Sequence, residues 1–83
     1  MRRIGLDTRK LEHPEPLEMA LKVLQTLKED TYLYMLHRKK PIPLIDLAKE
    51  NHFSFYLHKD KNEDWHIIIS KNSNEDLSQY LDV

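Results

Sequence analysis

His13 stands directly before Pro14-Glu15-Pro16, and a second proline pair, Pro41-Ile42-Pro43, follows the basic run His37-Arg38-Lys39-Lys40. Imidazole, guanidinium and ammonium groups beside helix starts are the types that hold a phosphate. Arg38 and Lys40, with His13 nearby, are therefore candidate phosphate contacts. Each proline removes an amide that an anion would use, and a run such as HRKK equally suits a solvated turn. His58 and His66 form a second pair, set opposite each other if a turn closes between them. Two imidazoles do not complete a metal's coordination sphere, and the chain has no cysteine to add a thiolate. Asp60 and Glu63 lie in the intervening turn without ligand spacing, so no metal site is expected. No Ser-His-Asp set or close carboxylate pair can be placed on rigid elements, so no catalytic residue is assigned. Glu12, Glu15 and Glu18 read as a charge cluster at a helix start.

The elements that must position these groups follow from periodicity. Ile4 and Leu6 alternate with Arg3, Gly5 and Asp7, a half-buried first strand. Leu17, Ala20, Leu21, Leu24 and Leu27 recur at helical spacing, with Met19 and Val23 widening the apolar face. The first turn of a helix has amides with no internal partner, so Pro14 and Pro16 lose little there. TYLYMLH, residues 31 to 37, is rich in β-formers and predicts a second strand. Prolines 41 and 43 open a second helix, with Leu44, Leu47 and Ala48 facing inward. Phe53, Phe55 and Leu57 alternate with Ser54, Tyr56 and His58 in a third strand. Trp65, Ile67 and Ile69 alternate with His66, Ile68 and Ser70 in a fourth. Ser73 or Asn74 caps a short C-terminal helix carrying Leu77, Tyr80 and Leu81. The order is βαβαββ, an α/β chain in which two helices cover one face of a four-stranded sheet, a two-layer sandwich.

Composition bounds the rest. Eighty-three residues make one domain, residues 1–83, with a compact core. Thirteen basic and fourteen acidic side chains leave a net charge of -1, against a dedicated nucleic-acid binder. Without cysteine there is no disulfide and no thiolate chemistry. Gly5 is the only glycine, which excludes the glycine-rich loops that cradle nucleotide phosphates. The longest apolar run, Tyr32 to Leu36, is far short of a membrane span. No apolar segment follows the basic N-terminus, so no signal peptide is expected. The chain reads as cytoplasmic, reaching the inner membrane only through protein contacts.

The strand ending in Asp7-Thr8-Arg9, followed by His13-Pro14-Glu15-Pro16-Leu17 opening a helix, resembles the SirA/TusA-like superfamily. A subfamily often found beside hemerythrin-type domains is more similar still. It has a Pro-x-Pro-Leu second helix start, here Pro41-Ile42-Pro43-Leu44, and a last strand opening with tryptophan, here Trp65. The resemblance reaches to about Lys71. It implies the fold of the C-terminal domain of translation initiation factor three, a mixed sheet of order 1-2-4-3. Members that carry sulfur do so on a cysteine before the first proline. Here that position is His13, which cannot hold a persulfide, so sulfur relay is not inherited. The chain is also similar to small SirA-like subunits of bacterial respiratory complex I. That implies a place in the peripheral arm of an NADH-quinone oxidoreductase, with the other subunits as partners and FMN as the cofactor to expect.

The subfamily pattern turns Tyr32, Tyr34 and Leu36 toward the helices and Leu33 and Met35 away from them. In the 1-2-4-3 order, Leu33, Met35, Ile68 and Tyr56 then form an apolar platform on the bare face, with Arg3 and His66 at its margins. An exposed apolar patch marks a binding surface. Three readings stay open: a partner protein covers the patch, a flat ring such as the isoalloxazine of FMN lies on it, or there is no free patch because the C-terminal helix folds across it or the face assignment is inverted. The function expected is an accessory subunit of the oxidoreductase that seats FMN noncovalently and aids electron entry, the redox chemistry being the cofactor's. The alternative is a stand-alone interaction or regulatory domain with no cofactor.

Overall fold

A computed structural model describes residues 1–83. Strand β1 (Arg2–Asp7) leads to helix α1 (Glu15–Thr26), strand β2 (Thr31–His37), helix α2 (Ile42–Glu50), and strands β3 (Ser54–Lys59) and β4 (Trp65–Ser70). A single 3-10 turn, Leu77–Tyr80, follows. The sheet runs β1-β2-β4-β3, with β1 parallel to β2 and the other pairs antiparallel. The expected α/β architecture and sheet order are both present. No helix is long and apolar enough to cross a membrane.

Both helices begin where the prolines predict. Pro14 precedes α1 and Pro16 lies in its first turn, alongside Glu15 and Glu18; Pro41 and Pro43 do the same for α2. Neither start has a side-chain cap, so the pre-set proline φ angle does the ordering that a capping hydroxyl does elsewhere. Ala20 and Leu24 of α1, with Leu27 just past its end, pack on the sheet beside Leu44 and Ala48 of α2. Met19 is exposed and Leu47 half-buried, while Ile45 is buried; the inward stripe of each helix is thus slightly rotated from the one expected.

Register decides which side chains meet the helices. Ile4 pairs with Leu33 and Leu6 with Met35; Leu33 and Met35 in turn pair with Ile69 and Ile67, and these with Phe55 and Leu57. All of these point to the helix side and form one core with Ala20, Leu24 and Leu44. Leu33 and Met35 are 0% and 1% exposed, which corrects the expected orientation of β2. The cause is plain in the strand itself. TYLYMLH is apolar at five successive positions and buried on both faces over most of its length, so its period-two pattern does not say which face is which.

The second sheet face carries Arg3, Tyr32, Tyr34, Leu36, Tyr56 and Ile68, and it is not bare. The segment after β4 folds across it. Leu77 is buried against Tyr32, Tyr34 and Ile68, with Tyr80 and Leu81 packed alongside. The helix expected there is only one 3-10 turn, and its cap is Asp76, whose Oδ1 accepts from the Ser78 amide at 3.1 Å, rather than Ser73 or Asn74.

Candidate functional site

The structure divides the sequence-predicted residues between two places. On the second face, Ile68 is fully buried and Tyr56 half-buried beneath or beside the C-terminal segment. Arg3 fastens that segment. Its Nε donates to the Tyr32 hydroxyl at 2.9 Å and its Nη2 to the Tyr80 carbonyl at 2.8 Å, while its Nη1 is ion-paired with Asp82. The guanidinium also lies 4.2 Å from the centre of the Tyr34 ring, a cation–π contact. Pairing with Arg3 holds the Asp82 carboxyl below the usual range.

His66 belongs to the same lock. Its Nε2 is 2.8 Å from Asp60 Oδ2, and its Nδ1 is 2.6 Å from the Tyr34 hydroxyl, which accepts the Asp82 amide at 2.9 Å. The His66 hydrogen bond is the main reason that the Asp60 carboxyl is held low, and burial pushes the Tyr34 phenol up. His58 does sit across from His66 in the β3–β4 pair, ring centres 6.1 Å apart. Both His66 nitrogens are engaged and the ring is buried, however, so it has no lone pair to offer a metal or a substrate. The platform of Leu33, Met35, Ile68 and Tyr56 does not exist as an open surface.

The second place is a cleft of about 160 Å³ where the C-terminal end of β2 meets the two proline-marked helix starts. His13, His37, Lys39 and Lys40 supply its polar wall, and Leu17, Met35 and Leu44 its floor. No carboxylate lines it, and neither lysine is in an ion pair. The prolines leave few amides, but not none. Glu15 and Glu18 donate to Glu12 and Pro14, and Ile42 and Ile45 to Lys40 and Pro41. The first-turn amides of Leu17 and Leu44 have no partner, and both residues line the cleft.

Thr8 sets the chemistry of His37. Fully buried at the end of β1, Thr8 donates its hydroxyl proton to the Leu36 carbonyl at 2.8 Å. Its Oγ1 lies 3.1 Å and its carbonyl oxygen 3.4 Å from His37 Nδ1. A carbonyl oxygen can only accept, so the approach of the Thr8 carbonyl to Nδ1 fits a hydrogen on that nitrogen. Burial pushes the His37 pKa down, with Arg38 and Lys39 adding to the effect against the Thr8 hydrogen bond. Above that pKa the ring is neutral, and Nε2 has a free lone pair with no protein partner.

Of the expected phosphate contacts, Lys40 is in the cleft, its Nζ 5.7 Å from the centre of the Trp65 ring. Arg38 is not. It lines an adjoining hollow with Leu11, Glu12, His13 and Lys39. Arg9, at the same edge, is paired with Asp7 at 2.7 Å and Asp64 at 3.4 Å and does not line the cleft. Lys39, His37 and the two leucine amides were not among the expected phosphate contacts, although the parallel pairing of the first two strands expected from the sequence already set Thr8 and Arg9 beside His37 to Lys40. The signal for His37 was there, since a parallel β1–β2 pair places Thr8 beside it.

Fold and cleft together define a small α/β domain with a cation-lined concavity at one edge of its sheet. Over residues 5–71 the chain matches a family described as uncharacterized conserved protein (DUF2249), and it belongs to that family. The match begins within β1, takes in the rest of the sheet, both helices and the cleft, and ends before the segment that covers the second face. No curated protein and no solved structure matches the chain.

Proposed function

We propose that the protein is a non-catalytic binding module that takes a small organic anion in the cleft between its two proline-marked helix starts. One observation carries this reading. In a chain of net charge -1, Lys39, Lys40, His13 and His37 line one concavity between two helix starts, with no carboxylate beside them. Fixed cations and helix-terminal amides favour negative charge, while the apolar floor favours a ligand with a carbon skeleton.

The resemblance to the SirA/TusA-like superfamily supports the location. The position that bears sulfur in its sulfur-carrying members is His13 here, and His13 lines the cleft. An imidazole in that place turns a site for covalent cargo into one for reversible binding. The accessory role in an NADH-quinone oxidoreductase carries over as part of the same proposal. FMN is the competing occupant, with its phosphate at Lys40; its ring exceeds the cleft, and the sheet face expected to seat the ring holds the protein's own C-terminal segment.

Titration of isotope-labelled protein with inorganic phosphate, propionate and FMN tests the reading. Anion binding shifts the backbone resonances of His13, Leu17, Lys39, Lys40 and Leu44 together, and Lys39→Ala with Lys40→Ala weakens it. Shifts confined to the second face, or none, would sink it.

A further inference from the structure

The arrangement of donors and acceptors around the cleft says more than charge does. We infer that its ligand is a small carboxylate bearing a hydroxyl group beside the carboxylate, and that His37 selects for that hydroxyl. The inference rests on the cleft being the anion site. Two features of the cleft choose between anions. A phosphate dianion is usually met by a fan of amide donors, and here prolines 14, 16, 41 and 43 thin the fan to the amides of Leu17 and Leu44. Two lysines beside an apolar floor suit a carboxylate on a short carbon skeleton. Size agrees. An apolar cavity of about 150 Å³ holds a guest of benzene's size, and this cleft is about 160 Å³, room for a ligand of roughly six heavy atoms.

The hydroxyl follows from Thr8. Because Thr8 takes the Nδ1 hydrogen, the nitrogen left to the ligand is the bare Nε2. His13, the other imidazole of the cleft, has no hydrogen bond to orient it, so Nε2 of His37 is the acceptor that the fold holds in place beside two ammonium groups. No protein group fills it, and no buried side-chain nitrogen lacks a partner anywhere in the chain, so Nε2 is open to solvent. A ligand that excludes that solvent without a donor of its own leaves Nε2 unsatisfied, and a site built around such a hydrogen bond discriminates against it. A 2-hydroxy acid places an O–H next to its carboxylate. The corresponding 2-oxo acid presents only another acceptor, and the plain acid presents nothing.

The test uses the full chain and has two arms. A long-range proton–nitrogen correlation spectrum at pH 8 reports the His37 tautomer directly; a hydrogen on Nδ1 with a bare Nε2 supports the inference, and a hydrogen on Nε2 overturns it. Lactate, pyruvate and propionate are then titrated at the same pH. Lactate is expected to bind roughly tenfold tighter than either of the others, and in His37→Phe, which keeps a ring in place, the three affinities are expected to fall together. Equal affinities for the three would overturn the selection by His37 and leave the anion cleft standing. No response at His13, Lys39 or Leu44 up to about 50 mM of any of them would remove the cleft reading and this inference together.

Discussion

Tyr80 stacks on Tyr32, ring centres 4.4 Å apart and planes 23° from parallel, and so fixes the C-terminal segment to the second face of the sheet. Arg3 bridges the same two residues, donating to the Tyr32 hydroxyl and the Tyr80 carbonyl. The face that a two-helix sandwich leaves uncovered is thereby closed by a dozen residues of the same chain, outside the span of the family match.

Leu77 is the anchor of that closure, 5% exposed between Tyr32, Tyr34 and Ile68. Leu77→Ala is expected to destabilise the fold by about 2–3 kcal/mol in urea denaturation and to raise binding of a hydrophobic dye. A segment merely draped over the sheet would cost less than about 0.5 kcal/mol and leave dye binding unchanged.

Leu33 lies on the opposite side, sealed beneath both helices. Leu33→Ala is expected to cost about 3–5 kcal/mol, and Leu33→Asp to prevent folding. Retention of near-native stability by Leu33→Asp would put β2 the other way round.

How much of this the sequence disclosed depends on the element. The helix starts were legible because proline at a first turn is a local signal, and the strand order followed from resemblance. The facing of β2 was not legible. Tyr32, Tyr34 and Leu36 are as apolar as Leu33 and Met35, and only the register against Ile4 and Ile67 separates them. The lock of Asp60, His66, Tyr34 and the Asp82 amide joins the β3–β4 hairpin, β2 and the C-terminal segment, and has no local signature. The cleft lay between. Lys40 and His13 were visible as a basic edge, whereas the Thr8–His37 contact needed the parallel pairing to be drawn residue by residue.

Acid tests the carboxylates. The Arg9 hydrogen bond holds Asp7 down to about 2, and Asp60 and Asp82 are held low by His66 and Arg3. In the unfolded chain these groups take up protons near pH 4, earlier than in the fold, so the stability they add is complete above that pH. It is lost as pH falls through the folded values, from about 4 toward 2. Urea midpoints measured at falling pH should drop in that window, and less so in Asp60→Asn. A midpoint indifferent to pH there would contradict the pairing.

His37 should titrate below the ordinary imidazole value of about 6.5. The unfolded chain then binds the proton first, so the His37 contribution to stability is present above about 6.5 and declines as pH falls toward the lower folded value. An NMR titration of the ring protons checks this. A pKa at or above 6.5 would mean that the ring is not desolvated at the end of β2.

The account turns on the cleft as a binding site for anions, and the most direct measurement is calorimetric or NMR titration of the intact protein with lactate, repeated on Lys39→Ala/Lys40→Ala. Saturable binding that perturbs His13, Leu17 and Leu44, and that falls roughly tenfold or more in the double variant, is the predicted result. Binding of the same strength in the variant, or perturbations gathered around Arg3 and Tyr56 instead, would contradict it.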